Sequence, residues 1–480
     1  MSLPAPLPQL RVTRAGDDWM RASVSSRSRF GDDVWHLDIH VAGLFPGAKR
    51  VCWNAVMPDG SRLTDPQHVG FLRAAKQFLW SMAVDPPSGQ KRSSPSTLSR
   101  NSVVLRVMIR WMISEDLTSF STLDASAVQR LCVWLRRRPG RRPGRTATPS
   151  TVRSYLVVIA NMHRQRSKLD DAPRTDPLAG ETANEAAGMS RATAGAIPFI
   201  PDALAVDLLS KSLTWVEIHA EDILRASELR GRVADELRAA GHPEWRVVRE
   251  ANQAMRRAAI PGPDRRPLVL DLAISKAGAR LVDACFALIA GFVGMRVSEI
   301  LSMQVGAVER YPLGETGLDQ AYVVARLFKG ADDPEGRIER WLAPEPVVRA
   351  VECLEHLGAP LRAASGHRDL FLSRHSSRRA VTQIRGQTIM RRLNLFAAHV
   401  GVPLHEGKRW LFTPHQFRKT FARFVARGDG CDNEFRPSSA DEVWPTSRCV
   451  TGWPGPRPRP AGQRRSSGLP VMLCLAFAGP

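Results

Sequence analysis

Helical periodicity is the feature that most restricts how this chain can fold. From Leu63 to about Leu178 apolar residues recur at spacings of three and four, and helical patterning resumes from Phe199 and continues to Ala426. One stretch departs from it: residues 321–344 contain two β-like runs joined by a Gly/Asp/Pro turn, which is typical of a β-hairpin. The sequence therefore predicts a mainly α-helical protein with a small β-hairpin or sheet.

Changes in composition divide the chain into segments. Its 480 residues favour two or three domains. Residues 1–62 mix short extended pieces with turns, and we assign them no role. Residues 63–178 predict a helical bundle, residues 179–198 a polar inter-domain linker, and residues 199–426 a second, mostly helical domain. Helical periodicity is lost in residues 427–480, which predict an irregular tail rich in Pro, Gly, Arg and Ser.

The charge balance favours a polyanionic partner. The chain has 68 Lys and Arg against 47 Asp and Glu, a formal net charge of +21, and such an excess attracts nucleic acid. A generally basic protein without such a partner is the alternative. Arginines cluster in a Pro- and Gly-rich stretch that predicts a loop along DNA phosphates, or else a solvated charged linker. These arginines are Arg136, Arg137, Arg138, Arg141, Arg142 and Arg145.

Several classes of protein have no support in the sequence. The seven cysteines form no C-x-x-C pair, which argues against zinc ribbons, redox motifs and a disulfide framework. No apolar run is long enough for a bilayer span and the N-terminus lacks a secretory signal, so we expect a cytoplasmic protein without membrane contact. Walker A, G-x-S-x-G and H-E-x-x-H motifs are absent. We expect no metal, nucleotide or other cofactor.

The segment from Thr413 to Val425 predicts a well-defined helix start. Thr413 fits the N-cap, Pro414 the first helical position, and Gln416 completes a capping box. His415 and Arg418 project from the N-terminal turn, where the helix dipole favours an anion. A capping histidine with a surface arginine is the alternative interpretation. The face expected to point into the core comprises Phe417, Phe421, Phe424 and Val425.

A second arginine lies at a break between two predicted helices. Residues 284–293 form a strongly apolar helix, Gly294 supplies the break, and Ser298 can cap the next helix. Arg296 is thus presented at a rigid turn and could bind an anion, or it could be a structural arginine paired to Glu299.

Three segments resemble, in order and spacing, the successive motifs of the tyrosine recombinase, or phage integrase, family. They are GMRVSEIL, the hairpin segment LFKG, and TPHQFRKTFARF. The resemblance extends from about Leu63 to Ala426. It implies a helical core-binding domain that contacts DNA over residues 63–178, followed by a mixed, mostly helical integrase-type catalytic domain over residues 199–426.

The same resemblance implies roles for five residues. Arg296 and Arg418 would hold the non-bridging oxygens of the scissile phosphate by charge-assisted hydrogen bonds. Lys329 would protonate the leaving 5′ oxygen, although on spacing alone it could be an ordinary turn lysine. His415 would support the phosphate or take part in proton transfer, and Glu299 would orient Arg296. The implied partners are double-stranded DNA and possibly further copies of the chain on that DNA.

The sequence departs from the family at the nucleophile. The family tyrosine follows the second arginine, whereas Tyr155, Tyr311 and Tyr322 all precede His415, so we assign no nucleophile. We therefore expect a site-specific recombinase or integrase that is catalytically incomplete. The alternatives are a non-catalytic DNA-binding regulatory or architectural protein and a non-functional remnant. A frame-shift would explain the tail, and the other reading frames of the encoding DNA would test that hypothesis.

Overall fold

In the computed structural model the chain forms two compact units. The structure describes residues 20–138, 146–189, 197–312, 319–329, 333, 335–374 and 380–428. Unit 1 comprises Met1–Ile39 and Phe45–Ala196, and unit 2 comprises His40–Leu44 and Ile197–Pro480. Helices dominate both units and the strands form small antiparallel sheets, so the predicted mainly helical fold class is confirmed. Among the described residues, no helix is both long and apolar enough to cross a membrane.

Unit 1 begins with two short antiparallel strand pairs. Strands β1 (Ser23–Ser25) and β2 (Ser28–Arg29) pair with each other, as do β3 (Val34–His36) and β4 (Arg50–Cys52). Trp35, Trp53 and Phe30 are buried beneath them. The buried ammonium of Lys76 donates to the carbonyls of Gly31 and Asp32. This part of the predicted segment 1–62 is therefore packed against a helix of unit 1, while residues 1–19 lie outside the described part.

The described part of unit 1 also contains five α-helices. They are α1 (Val69–Val84), α2 (Pro95–Ser114), α3 (Ala125–Arg137), α4 (Pro149–Arg164) and α5 (Ala183–Ala186). Four of them begin at N-cap side chains that accept a backbone N–H three residues on, namely those of Ser94, Asp124, Thr148 and Thr182. These caps explain why the predicted helical pattern starts where it does.

The predicted linker at residues 179–198 is partly folded. Helix α5 lies within it and starts with a reciprocal capping box between Thr182 and Glu185. Arg153 of α4 donates to Asn184 of α5, and Ala187 is buried. The polar composition of this stretch predicted a linker. The capping box of Thr182 and Glu185 is a local signal that was not used, whereas the contact with α4 depends on tertiary packing. Residues 190–196 lie outside the described part.

Unit 2 is a helical assembly around one long buried helix. Its helices are α6 (Asp202–Thr214), which continues through a π-helical turn (Trp215–His219) into α7 (Ala220–Ala239), then α8 (Glu244–Ala258), α9 (Asp271–Val293), α10 (Val297–Ile300), α11 (Glu345–Ser365), α12 (Gly386–His399) and α13 (Pro414–Gly428). Helices α6, α7, α11, α12 and α13 all contact α9, and residues 284–290 of α9 are fully buried. The apolar stretch identified in the sequence is thus the centre of this unit.

A three-stranded antiparallel sheet in unit 2 contains the predicted hairpin. Strand β6 (Asp319–Leu327) pairs with β7 (Arg337–Leu342), from Tyr322 opposite Leu342 to Leu327 opposite Arg337. On its other side β6 pairs with β5 (Val308–Pro312), a strand that sequence analysis did not predict. A second, two-stranded sheet pairs β8 (Leu372–Arg374) with β9 (Val381–Gln383).

The close approach of α9 and α13 requires glycine at the end of α9. Gly294 closes the helix with φ of +69°, in the left-handed region. A Cβ at this position would also collide with the ring of Phe421 on α13. Phe417 is buried as predicted, but Val425 of the same predicted face is 39% exposed. Phe424 packs against the core, so the exposure at Val425 lies at the edge of the predicted face.

A buried ion pair joins α9 to α12. Arg392 Nε donates to Asp283 Oδ1 over 2.7 Å, and the Asp283 side chain is only 3% exposed. Burial raises the pKa of Asp283 to about 6, although the charge of Arg392 opposes the shift. The aspartate therefore takes up its proton more readily in the folded protein than in the unfolded chain.

We predict that Asp283→Asn changes how stability depends on pH. Because the folded-state pKa is raised, ionisation of Asp283 lowers the free energy of unfolding as pH rises from about 4 to about 6. The fall is on the order of 3 kcal/mol for a shift of this size, and Asn abolishes it while still offering Arg392 an acceptor. Denaturant unfolding of both proteins across this pH range measures it. Parallel curves for wild type and variant would show the prediction to be wrong.

Candidate functional site

Arg296 and Glu299 are joined through both the backbone and the side chain of the arginine. Arg296 is the N-cap of α10, so Glu299 is the third residue of that helix. Glu299 Oε2 accepts the backbone N–H of Arg296 and Oε1 accepts from Arg296 Nη1, both over 2.7 Å. Ser298, the cap predicted from sequence, lies inside α10 instead. Glu299 thus contacts Arg296 directly, and its predicted orienting role stays a prediction.

Arg418 approaches the same carboxylate from α13. Its Nη1 lies 3.9 Å from Glu299 Oε2 and donates to the carbonyl of Gly294 over 3.0 Å. The side chain of Glu299 is 1% exposed, against 26% for Arg296 and 17% for Arg418. Burial and the nearby charge of Arg296 lower the pKa of Arg418, and Glu299 acts in the opposite direction. Two guanidinium cations share one carboxylate anion, so Arg296, Arg418 and Glu299 together carry a net positive charge.

His415 lies in the first turn of α13, within the field of several cations. Partial burial lowers its pKa below the usual value, and the positive charges of Lys419, Arg418, Arg296 and Lys329 lower it further. Charges act on one another over short distances in salt solution. Burial and these four cations thus favour the neutral form of the His415 imidazole.

Lys329 is an exposed residue of the turn that follows β6. The hydroxyl of Ser302 donates to the carbonyl of Glu299 over 2.7 Å and accepts the backbone N–H of Arg326 over 2.9 Å. This serine therefore fixes the end of β6 relative to α10. The hydrogen bonds thus connect the strand that precedes Lys329 to the helix that carries Glu299.

The start of α13 forms as its sequence indicates. The side chain of Gln416 accepts the backbone N–H of Thr413 over 2.8 Å, and the helix begins at Pro414. The hydroxyl of Thr420 accepts the backbone N–H of Ile200, which ties the helix to the start of unit 2. His415 and Arg418 are thus presented from a well-anchored helix terminus.

The arginine cluster of unit 1 is only partly a loop. Arg136 and Arg137 form the last turn of α3, and Arg138 follows in an extended conformation. All three are exposed. The predicted loop starts later than expected because Pro139 restricts only the residue directly before it, and a helix C-terminus favours cations. Arg141, Arg142 and Arg145 lie outside the described residues.

All three tyrosines of the sequence lie in the part of the chain that the structure describes. Tyr155 is buried in unit 1, and burial raises its pKa. The hydroxyl of Tyr311 donates to Glu309 Oε2 over 2.6 Å, and that of Tyr322 donates to Gln320 Oε1 over 2.9 Å. Residues 429–480 lie outside the described part, so the frame-shift hypothesis stays a prediction.

Sequence reasoning missed two contributors to the site. Lys419 lies four residues after His415 and so shares its side of α13, a spacing that was visible in the sequence. Ser302 lies three residues after Glu299, but its bond to Arg326 depends on where the sheet docks. Lys419 lies within the segment TPHQFRKTFARF but was given no role there, and Ser302 directly follows GMRVSEIL.

A Ser–His–Asp cluster in unit 1 does not have the geometry of a catalytic triad. Ser61 Oγ donates to Asp59 Oδ1 over 2.6 Å and lies 2.7 Å from His68 Nε2. In a triad the carboxylate holds the other ring nitrogen of the histidine. Here Asp59 binds the serine and accepts the backbone N–H of Ser61, so the cluster stabilises a turn.

Comparison with known proteins gives structural similarity without sequence similarity. No protein-family model and no curated protein matches the sequence. Among the similar solved structures is the XerH site-specific recombinase bound to difH substrate in a pre-cleavage complex, with 10% identity and a TM-score of 0.37, covering 77% of this chain and 89% of that chain.

Two further solved structures are a recombinase and an integrase. The XerA recombinase has 13% identity and a TM-score of 0.24, covering 74% of this chain and 84% of that one. The Tn1549 transposon integrase, in complex with circular intermediate DNA, has 11% identity and a TM-score of 0.34, covering 75% and 89%. At such identities and TM-scores the similarity assigns no role to any residue of this chain.

We predict that Lys419→Met raises the pKa of His415. The substitution removes the charge that, after burial, does most to disfavour the imidazolium. Titration of the histidine Cε1–H signals by NMR measures the shift. Lys408→Met is the matched control, since Lys408 is not among the charges that act on His415. An equal effect of both substitutions, or a lowered pKa in Lys419→Met, would contradict the geometry given above.

Proposed function

We propose that this chain is a member of the tyrosine recombinase, or phage integrase, family that binds double-stranded DNA and holds a backbone phosphate between Arg296 and Arg418. The observation that carries the proposal is the arrangement of these two guanidiniums around the buried carboxylate of Glu299, beside His415. A general DNA-binding surface does not need two arginines fixed by one buried acid.

A phosphate suits this arrangement for three physical reasons. Guanidiniums form paired, charge-assisted hydrogen bonds with phosphate oxygens. Because Glu299 already holds Arg296 in place, less conformational freedom is lost when the anion binds. The N-terminus of α13, a helix of 15 residues, adds the positive end of a helix dipole at His415.

Lys329 and His415 are the candidates for moving protons. In strand cleavage a nucleophile forms a bond to phosphorus while the bond from phosphorus to the 5′ oxygen breaks, and the leaving oxygen takes a proton. An ammonium on an exposed turn can supply that proton, which is the role we propose for Lys329. A neutral imidazole at His415 can donate a hydrogen bond to the phosphate from one nitrogen and accept a proton at the other.

We propose further that the chain lacks its own nucleophile. The hydroxyls of Tyr311 and Tyr322 are bonded to neighbours on their own sheet, and Tyr155 is buried in unit 1. The same observation favours a second candidate function, a non-catalytic DNA-binding regulatory or architectural protein derived from an integrase. Both functions use the phosphate site. In the first, the site is that of a recombinase that lacks its nucleophile, and in the second it serves binding alone.

Unit 1 supplies further candidate DNA contacts. Arg136, Arg137 and Arg138 are exposed at the end of α3, and the proposal extends to Arg141, Arg142 and Arg145 that follow them. Contacts of this kind give affinity that depends strongly on salt and little on sequence. Assembly of several copies of the chain on one DNA belongs to the same proposal.

We expect Arg296→Ala and Arg418→Ala each to weaken binding to a fluorescent duplex and to reduce the slope of log affinity against log salt by about 1. Arg418→Lys keeps the charge but loses the planar fork, so affinity should fall with the slope unchanged. The control is Arg249→Ala, which removes an exposed arginine of α8. Fluorescence anisotropy across a salt series measures all four, and wild-type affinity in both alanine variants would refute the phosphate site.

A nicked suicide substrate tests the missing nucleophile. If the chain has none, it binds this DNA without forming a covalent product on a denaturing gel. A covalent protein–DNA adduct would show that a nucleophile exists and that the catalytic site is complete.

A further inference from the structure

Five residues from the N-terminal part of the chain, His40–Leu44, belong to unit 2. We call them the brace. Both backbone polar groups of Gly43 are used: its N–H donates to Gln383 Oε1, and its carbonyl accepts the N–H of Gly386, each over 2.9 Å. The brace is therefore fastened to the end of β9 and the start of α12.

Gly43 cannot be replaced at this contact without strain. Its φ is +72°, and a Cβ would collide with the side chain of Leu301 and press on the backbone of Gly386. The backbone of the brace is thus seated directly on the residue that follows α10.

Gln383 extends the contact into the phosphate site. While its Oε1 accepts from Gly43, its Nε2 donates to the carbonyl of Leu301 over 2.8 Å. Leu301 is the C-cap of α10. One amide side chain therefore links the brace to the four-residue helix that carries Glu299.

The other end of the brace contacts the lysine-bearing turn. His40 Nδ1 lies 2.7 Å from Glu335 Oε1, and Glu335 lies in the same β6–β7 connection as Lys329. The carbonyl of Glu335 also accepts from Arg326 Nη1 over 3.3 Å. The His40 and Glu335 side chains are 44% and 54% exposed, so this pair alone contributes little to stability. It can position the turn because Gly43 fixes the brace.

We propose that the brace positions two parts of the phosphate site at once, α10 through Gln383 and the Lys329 turn through His40 and Glu335. His40 and Gln383 are positioning residues, since neither touches the phosphate. The consequence for DNA rests on the function proposed above. A long lysine on an exposed turn loses conformational freedom when it engages a phosphate, and a turn that is already held reduces that loss.

Amide hydrogen exchange in the full-length protein tests the brace without DNA. Gly43→Ala should speed exchange at residues 297–303 and at residues 335 and 336, with exchange in α9 unchanged. Unchanged exchange at both places would overturn the proposal. His40→Ala removes only the contact with Glu335 and should speed exchange at residues 335 and 336 alone. If Gly43→Ala does not fold, this variant still tests whether the brace holds the turn.

DNA binding tests whether the brace acts through Lys329. Lys329→Ala should reduce the salt slope by about 1. His40→Ala and Glu335→Ala should each give a smaller reduction, since they leave the lysine in place, and His40→Ala should add nothing in a Lys329→Ala background. Glu335→Gln keeps an oxygen acceptor for His40 and should bring the slope closer to that of wild type than Glu335→Ala does. The matched control is His367→Ala, which removes another exposed histidine paired to a carboxylate, that of Asp369.

The two proposals fail in different ways. If His40→Ala binds DNA like His367→Ala while Arg296→Ala and Arg418→Ala lose affinity, the positioning role is wrong and the phosphate site stands. If both arginine variants keep full affinity, the proposed function is wrong, and the exchange measurement alone decides whether the brace holds α10 and the turn.

Discussion

The buried carboxylate of Glu299 is the contact on which the geometry of the candidate site depends. A carboxylate that is 1% exposed is stable only with cationic or hydrogen-bonding partners, and Arg296 supplies two of them. Two guanidiniums that approach each other likewise need an anion between them. Glu299 and the two arginines therefore require one another, and a second anion can bind because the net charge of the three groups stays positive.

Helix packing in unit 2 brings Arg418 close to Glu299. The apolar helix α9 is central to the unit, and Gly294 at its end lets α13 come close enough for Arg418 to reach the Gly294 carbonyl. Ser302 then fixes the sheet against α10. Each element of the site is thus held by contacts that also stabilise the core, so positions in the site are set before any DNA is present.

Short-range chemistry explains which parts were predictable from sequence. The start of α13, the break at Gly294 and the hairpin of β6 and β7 depend on caps, turns and periodicity within a few residues, and all three form in the structure. Arg296 rather than Ser298 is the N-cap of α10 because the Glu299 carboxylate accepts the Arg296 N–H. That bond forms because the Glu299 side chain is buried.

The parts that sequence did not predict depend on distant contacts. Gly43 binds Gln383 across 340 residues of chain, and β5 is a strand because β6 lies beside it. Neither contact produces a periodic pattern in the sequence. Val425 shares the spacing of a buried face yet is exposed, since spacing identifies a face of a helix but not what packs on it.

A structure of the protein bound to a DNA duplex tests the central claim most directly. The account predicts one backbone phosphate with its non-bridging oxygens within hydrogen-bond distance of both Arg296 and Arg418, the His415 ring beside it, and Glu299 still holding Arg296. Duplex bound with no phosphate at these two arginines would contradict it.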